Sequence, residues 1–191
     1  MSESGSLTIE VNTGAPLFNL TDIFGRQINL RNYQGKKVLI AFFRHAGCPF
    51  CNVRVHRLQK NMDEFKRKNL EMIFFFESKK EVLLGNDFHS GISPIPLIAD
   101  PEKTSYQAYG IESSGLKSAV SHFTTFFQTV IKAKIEKLPV HWMAGKESIK
   151  TIPAEFLIDE NGVVRKVHYA KNLTDQMSMD VILGFAESGR V

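Results

Sequence analysis

Apolar residues along this chain follow two rhythms. Val38-Leu-Ile-Ala-Phe-Phe43 is an unbroken apolar run, and Leu70 to Glu77 contains another from Met72 to Phe76. Runs of this length predict strands covered on both faces of a sheet. Ile95 to Ala99 predicts a third strand. Leu7 to Val11 alternates apolar and polar residues, so a short strand is expected before the Gly14-Ala-Pro16 turn, with a small hairpin over Phe18 to Leu30. Ala154 to Asp159 and Val163 to Tyr169 flank Asn161-Gly162, the strongest hairpin signal in the chain.

The second rhythm is helical. From Pro49 onward Val53, Val55, Leu58, Met62 and Phe65 recur at near-helical spacing, and Pro49 suits a first turn, where its missing N–H has no intrahelical partner. Ser78 to Asn86 predicts a short helix, Asp100-Pro-Glu a helix start leading to about Tyr109, and Asp175 to Ala186 a last helix. Between them, apolar residues from Leu116 to Leu138, Phe123 and Phe127 among them, mark one side of a long helix. Such a stripe must be covered, first of all by the protein's own core, and otherwise by a homodimer surface or a partner groove. Strands separated by helices, then a hairpin and a terminal helix, predict an α/β fold with a mixed sheet, in one domain over 1–191 with a helical insertion at 111–150.

Composition narrows the class. The chain has 191 residues, 43% hydrophobic and 23% charged, ordinary for a globular protein. No apolar stretch approaches the roughly 20 residues of a membrane span, and the first residues lack the charged and apolar regions of a secretory signal. A cytoplasmic protein without a membrane partner is expected. The net charge of +4 is mild and spread along the chain, which argues against nucleic acid as a partner. Arg54, Arg57, Lys60, Lys66, Arg67 and Lys68 form a local excess that reads as a solvated helix face.

Only two cysteines are present, Cys48 and Cys51. Their loop is too small to staple a fold, so the pair is chemical, metal-binding or incidental. The predicted strand-to-helix turn puts Cys48 where the positive end of a helix favours a thiolate, with Cys51 one turn on and able to resolve an oxidised partner. Arg44, His45 and Arg54 are candidates for adding positive potential. Pro153 is a candidate cis-proline packed against the dithiol.

Phe42-Phe-Arg-His-Ala-Gly-Cys-Pro-Phe-Cys51, Ile95-Pro-Leu-Ile-Ala-Asp-Pro-Glu102, Ala108-Tyr-Gly110 and Phe156-Leu-Ile-Asp-Glu-Asn-Gly162 together resemble the peroxiredoxin-like branch of the AhpC/TSA family, in the thioredoxin-like superfamily. The resemblance covers roughly residues 10 to 188. It implies a thioredoxin-like fold with an N-terminal β extension and a helical insertion ahead of the cis-Pro strand. It departs from the peroxidase pattern Pro-x-x-x-Thr-x-x-Cys plus a distant Arg: with the last cysteine on Cys51, Arg44 stands in place of the Pro, Cys48 in place of the Thr, and Pro153 near the place of the Arg. Cys48, Cys51 and Pro153 match the thioredoxin pattern instead, and Pro49-Phe50 resembles the glutaredoxin Cys-Pro-Tyr-Cys.

Thiol-disulfide exchange in redox homeostasis, with Cys48 attacking and Cys51 resolving, is therefore the first expectation. Peroxide reduction with Cys51 attacking is the second. Implied partners are a protein disulfide, hydroperoxide or small thiol, and a dithiol reductant such as thioredoxin, or glutathione. Neither chemistry calls for a cofactor or metal. A zinc site from His45, Cys48, Cys51 and His56, an iron-sulfur cluster shared between subunits, and a non-catalytic interaction module built on the long helix are the remaining alternatives. His89, His122, His141 and His168 are assigned no role, Trp142 is expected to fill core, and Asp22 and Asp100 are expected to act as caps.

Overall fold

The computed structural model describes residues 8–111 and 151–191. Five strands form the main sheet in the order β5 (Leu97–Ala99), β4 (Leu70–Phe76), β3 (Lys37–Phe42), β6 (Ala154–Ile158), β7 (Val164–Tyr169). The first three are parallel, while β6 runs antiparallel to β3 and β7 antiparallel to β6. A separate hairpin pairs β1 (Asn19–Thr21) with β2 (Gln27–Asn29). Helices α1 (Pro49–Lys60), α2 (Met62–Arg67), α3 (Lys80–Leu84), α4 (Asp87–Ser90), α5 (Thr104–Ala108) and α6 (Met179–Ser188) complete the described part.

The apolar runs are continuous because β3 and β4 sit inside the sheet with both faces covered. Side chains alternate across the pleat. Leu39, Ala41 and Phe43 join Phe74, Val55, Leu58, Ile182 and Phe185 in one core. Val38, Ile40 and Phe42 join Phe75, Tyr106, Tyr109 and Phe156 in the other. Phe42 and Phe75 stack at 4.6 Å between centroids across the β3–β4 pair. Where β6 turns into β7, the Asp159 carboxylate accepts the N–H groups of Asn161 and Val163, and Gly162 supplies the required positive φ of 77°.

Four local expectations are corrected. Residues 8–11 form no strand; the chain meets the sheet at a single bridge, Gly14 to Val163, beside Asn12 at φ 65°, because the left-handed residue interrupts the alternation. The helix from Pro49 breaks at Asn61, whose ψ of 6° ends α1 and starts α2. The last helix begins at Met179, not Asp175, because Ser178 caps it by accepting the Val181 N–H, whereas Asp175 accepts from the Lys171 N–H. The peptide bond before Pro153 is not cis: the cis bond among the described residues is Ser93–Pro94. A trans Ile152–Pro153 bond delivers extended chain into β6, and the Pro153 carbonyl accepts the Ala170 N–H as the ladder begins. The expected helix over Leu116 to Leu138, its homodimer surface, the 111–150 insertion beyond Ile111 and Thr151, Trp142, His122 and His141 lie outside the described residues.

Candidate active site

Strand β3 ends at Phe42 and the chain turns through Arg44 to Gly47 before α1 begins. Cys48 is the N-cap of that helix, with Pro49 in its first turn and Cys51 three positions on. The two cysteines are not joined, and the side chain of Cys51 hydrogen-bonds Cys48. They are 1% and 2% exposed, so a reactant must enter through a small opening.

Arg44 brackets the pair. Its backbone N–H donates to Cys51 Sγ at 3.4 Å and its Nη1 lies 4.0 Å from Cys48 Sγ. The guanidinium is buried, with no hydrogen-bond partner for Nε. Burial alone raises the Cys48 thiol, but the hydrogen bond from Cys51, the Arg44 charge and the backbone N–H groups of Cys51 and Phe50 outweigh it and bring the pKa down to about 7. Burial pushes Cys51 well above its ordinary value, and the hydrogen bond and charge of Cys48 push it further, with Arg44 opposing. One sulfur is thus poised as thiolate and the other as thiol.

Arg54 does not serve the thiolate as expected. Its Nε donates to Glu155 Oε1 at 2.6 Å and its Nη2 to Oε2 at 3.0 Å, with a further bond from Nη2 to the Met177 carbonyl. Its charge is committed to that carboxylate. His45 contributes its carbonyl, which accepts the Cys48 N–H at 3.0 Å and tightens the turn. Pro153 lines a narrow cleft with Cys51, Arg54, Glu155 and His168, so it neighbours the dithiol despite its trans bond.

Sequence reasoning passed over Glu155. The signal was present: it is the one charged residue in the apolar run Ala-Glu-Phe-Leu-Ile, a position that needs a buried partner. Glu77 was also missed. Its Oε2 accepts from Thr151 Oγ1 and pairs with Lys103 Nζ, both at 2.7 Å. Asp22 and Asp100 are caps as expected, Asp22 accepting from Phe24 and Arg26 and Asp100 from Thr104 and Ser105. Among the described residues no cluster of three or more His, Cys, Asp or Glu is placed to hold a metal ion, and no helix is long and apolar enough to cross a membrane.

Parallel β3–β4–β5, an antiparallel β6–β7 pair and a pair of cysteines at the mouth of α1 define a thioredoxin-like fold. The chain belongs to the AhpC/TSA family, whose model matches residues 11–167. This agrees with the family resemblance read from the sequence.

Peroxiredoxin Bcp of Escherichia coli is 39% identical over 69 residues, 36% of this chain and 44% of the relative, so the match spans less than half the length of that protein. The putative peroxiredoxin Rv2521 of Mycobacterium tuberculosis is 29% identical over 99 residues, 50% of this chain and 62% of the relative. The chloroplastic peroxiredoxin Q of Suaeda salsa is 22% identical across 98% of this chain and 73% of its own. Among solved structures, peroxidoxin BcpB of M. tuberculosis superposes with a TM-score of 0.65 at 16% identity, covering 96% of this chain and 99% of its own. A thiol peroxidase of Chromobacterium violaceum gives 0.64 at 15% identity, covering 95% and 88%.

Proposed function

We propose that this chain is a two-cysteine thiol peroxidase. Cys48 attacks a hydroperoxide as thiolate, Cys51 resolves the sulfenic acid as a Cys48–Cys51 disulfide, and a dithiol protein such as thioredoxin, or glutathione, restores the pair. The observation that carries this reading is the sulfur pair at the start of α1, with Cys48 at the helix N-cap 4.0 Å from the Arg44 guanidinium and Cys51 accepting the Arg44 backbone N–H, in a chain of the AhpC/TSA family; the surroundings lower the Cys48 pKa and raise that of Cys51. The named relatives favour peroxide reduction over the exchange reaction first expected from the sequence. The assignment of the attacking sulfur follows the electrostatics and differs from the motif alignment, which would choose Cys51.

Hydroperoxide consumption by wild type, Cys48→Ser and Cys51→Ser, with either reductant present, tests it. Wild type should turn over, Cys48→Ser should not, and Cys51→Ser should be oxidised once and stop at a sulfenic acid. Turnover retained in Cys48→Ser would reassign attack to Cys51.

Thiol-disulfide exchange is the second reading, supported by the same N-cap thiolate at Cys48. Insulin-disulfide reduction by wild type without any peroxide consumption would put it first.

A further inference from the structure

Breaking the O–O bond of an alkyl hydroperoxide releases an alkoxide, a poor leaving group that needs a proton as it departs. The described residues offer few donors at the site. Glu155, in the cleft, accepts from Arg54 at both carboxyl oxygens and from the Met177 N–H, so its oxygens are already engaged as acceptors. Of the two sulfurs only Cys51 lines the cleft, and its side chain also hydrogen-bonds the Cys48 sulfur. A hydroperoxide with its terminal oxygen at Cys48 would leave its other oxygen on the Cys51 side.

We infer that Cys51 is the general acid of peroxide cleavage as well as the resolving nucleophile, so that one proton transfer couples the two steps. The inference rests on the peroxidase reading above. The Cys48 thiolate attacks the terminal oxygen, an S–O bond forms and the O–O bond breaks. The sulfur is oxidised to sulfenic acid, the peroxide oxygens are reduced, and the Cys51 S–H proton passes to the departing alkoxide to give the alcohol. Cys51 is then a thiolate next to Cys48–SOH. It attacks that sulfur, the S–S bond forms, and hydroxide leaves to take a proton from solvent as water. The negative charge moves from Cys48 to the leaving oxygen to Cys51, always beside Arg44, whose guanidinium faces the first sulfur and whose backbone N–H faces the second. Burial and the adjacent thiolate keep Cys51 protonated until then.

A resolving cysteine alone acts only after the first step, so the first step is the readout. Single-turnover sulfenic acid formation at Cys48 would be followed in wild type, Cys51→Ser and Cys51→Ala, with tert-butyl hydroperoxide and with peracetic acid. Acetate leaves without needing a proton; tert-butoxide does not. Loss of the acid should slow the alkyl hydroperoxide by ~100-fold while slowing the peracid by about threefold at most. The ratio of the two rates cancels any change in thiolate population or in the fraction of folded protein. An unchanged ratio in both variants would overturn the acid role while leaving the peroxidase reading intact. Wild type that forms no oxidised Cys48 with either oxidant would remove both. His168 is the rival donor in the cleft, 3.1 Å from Asp175; His168→Gln should leave the ratio at the wild-type value, and a shift matching that of Cys51→Ala would transfer the role to His168.

Discussion

Arg54 and Glu155 stand 101 residues apart in sequence and meet in a buried two-pronged ion pair, Nε to Oε1 at 2.6 Å and Nη2 to Oε2 at 3.0 Å. Their side chains are 3% and 4% exposed. The pair fastens α1 to β6 beside Cys51, and the Met177 N–H donated to Glu155 ties in the approach to α6. Two charges removed from water are tolerable only while each satisfies the other.

Removing one partner should therefore cost far more than removing both. Arg54→Met alone is expected to destabilise the fold by about 3–5 kcal/mol by stranding Glu155. The double variant Arg54→Met, Glu155→Leu should recover most of that loss in urea unfolding. Because Arg54 serves Glu155, the double variant should retain the Cys48 titration midpoint, read from thiolate absorbance.

Arg44 should behave in the opposite way. Arg44→Met removes the charge 4.0 Å from Cys48 Sγ and is expected to raise the Cys48 pKa from about 7 toward the ordinary thiol value. Alkylation by iodoacetamide at pH 7 should slow in proportion to the lost thiolate, and wild-type rates should be recovered at higher pH.

The depressed Cys48 pKa also has a stability signature. The folded value of about 7 lies below the ordinary 9.0, so Cys48 releases its proton more readily folded than unfolded. Its contribution is complete above pH 9, falls as the pH drops toward 7, and is gone below that. Cys51 is shifted upward, so its effect opposes further gain only above pH 9. The difference in unfolding free energy between wild type and Cys48→Ser should move in favour of wild type between pH 7 and 9; a flat difference would count against an ionised Cys48.

Glu77 depends on its two partners in a similar way. Lys103→Met leaves a carboxylate that is 3% exposed with the Thr151 hydroxyl alone, and a loss of about 1–3 kcal/mol is expected in thermal unfolding. Adding Glu77→Gln to Lys103→Met should restore part of it, because a neutral amide costs less to bury than an unpaired charge.

Much of this molecule was legible from residue order because burial in a sheet writes a local pattern. The β3 and β4 runs, the Asn161-Gly162 hairpin, the caps at Asp22 and Asp100, and the dithiol between a buried strand and a helix all follow from the nature and spacing of neighbouring residues. The rest depended on which distant groups share a space. Periodicity assigns a face and never a partner, so it could not show that Arg54 would turn from the sulfurs to Glu155 or that Arg44 would bracket both cysteines. Nor could it show that Ser178 would start the last helix in place of Asp175, or that Pro153 would enter its strand through a trans bond. Which thiol carries the charge was decided the same way, because a sulfur's pKa is set by what surrounds it in three dimensions: buried apolar walls, one guanidinium, the helix N–H groups and the other sulfur.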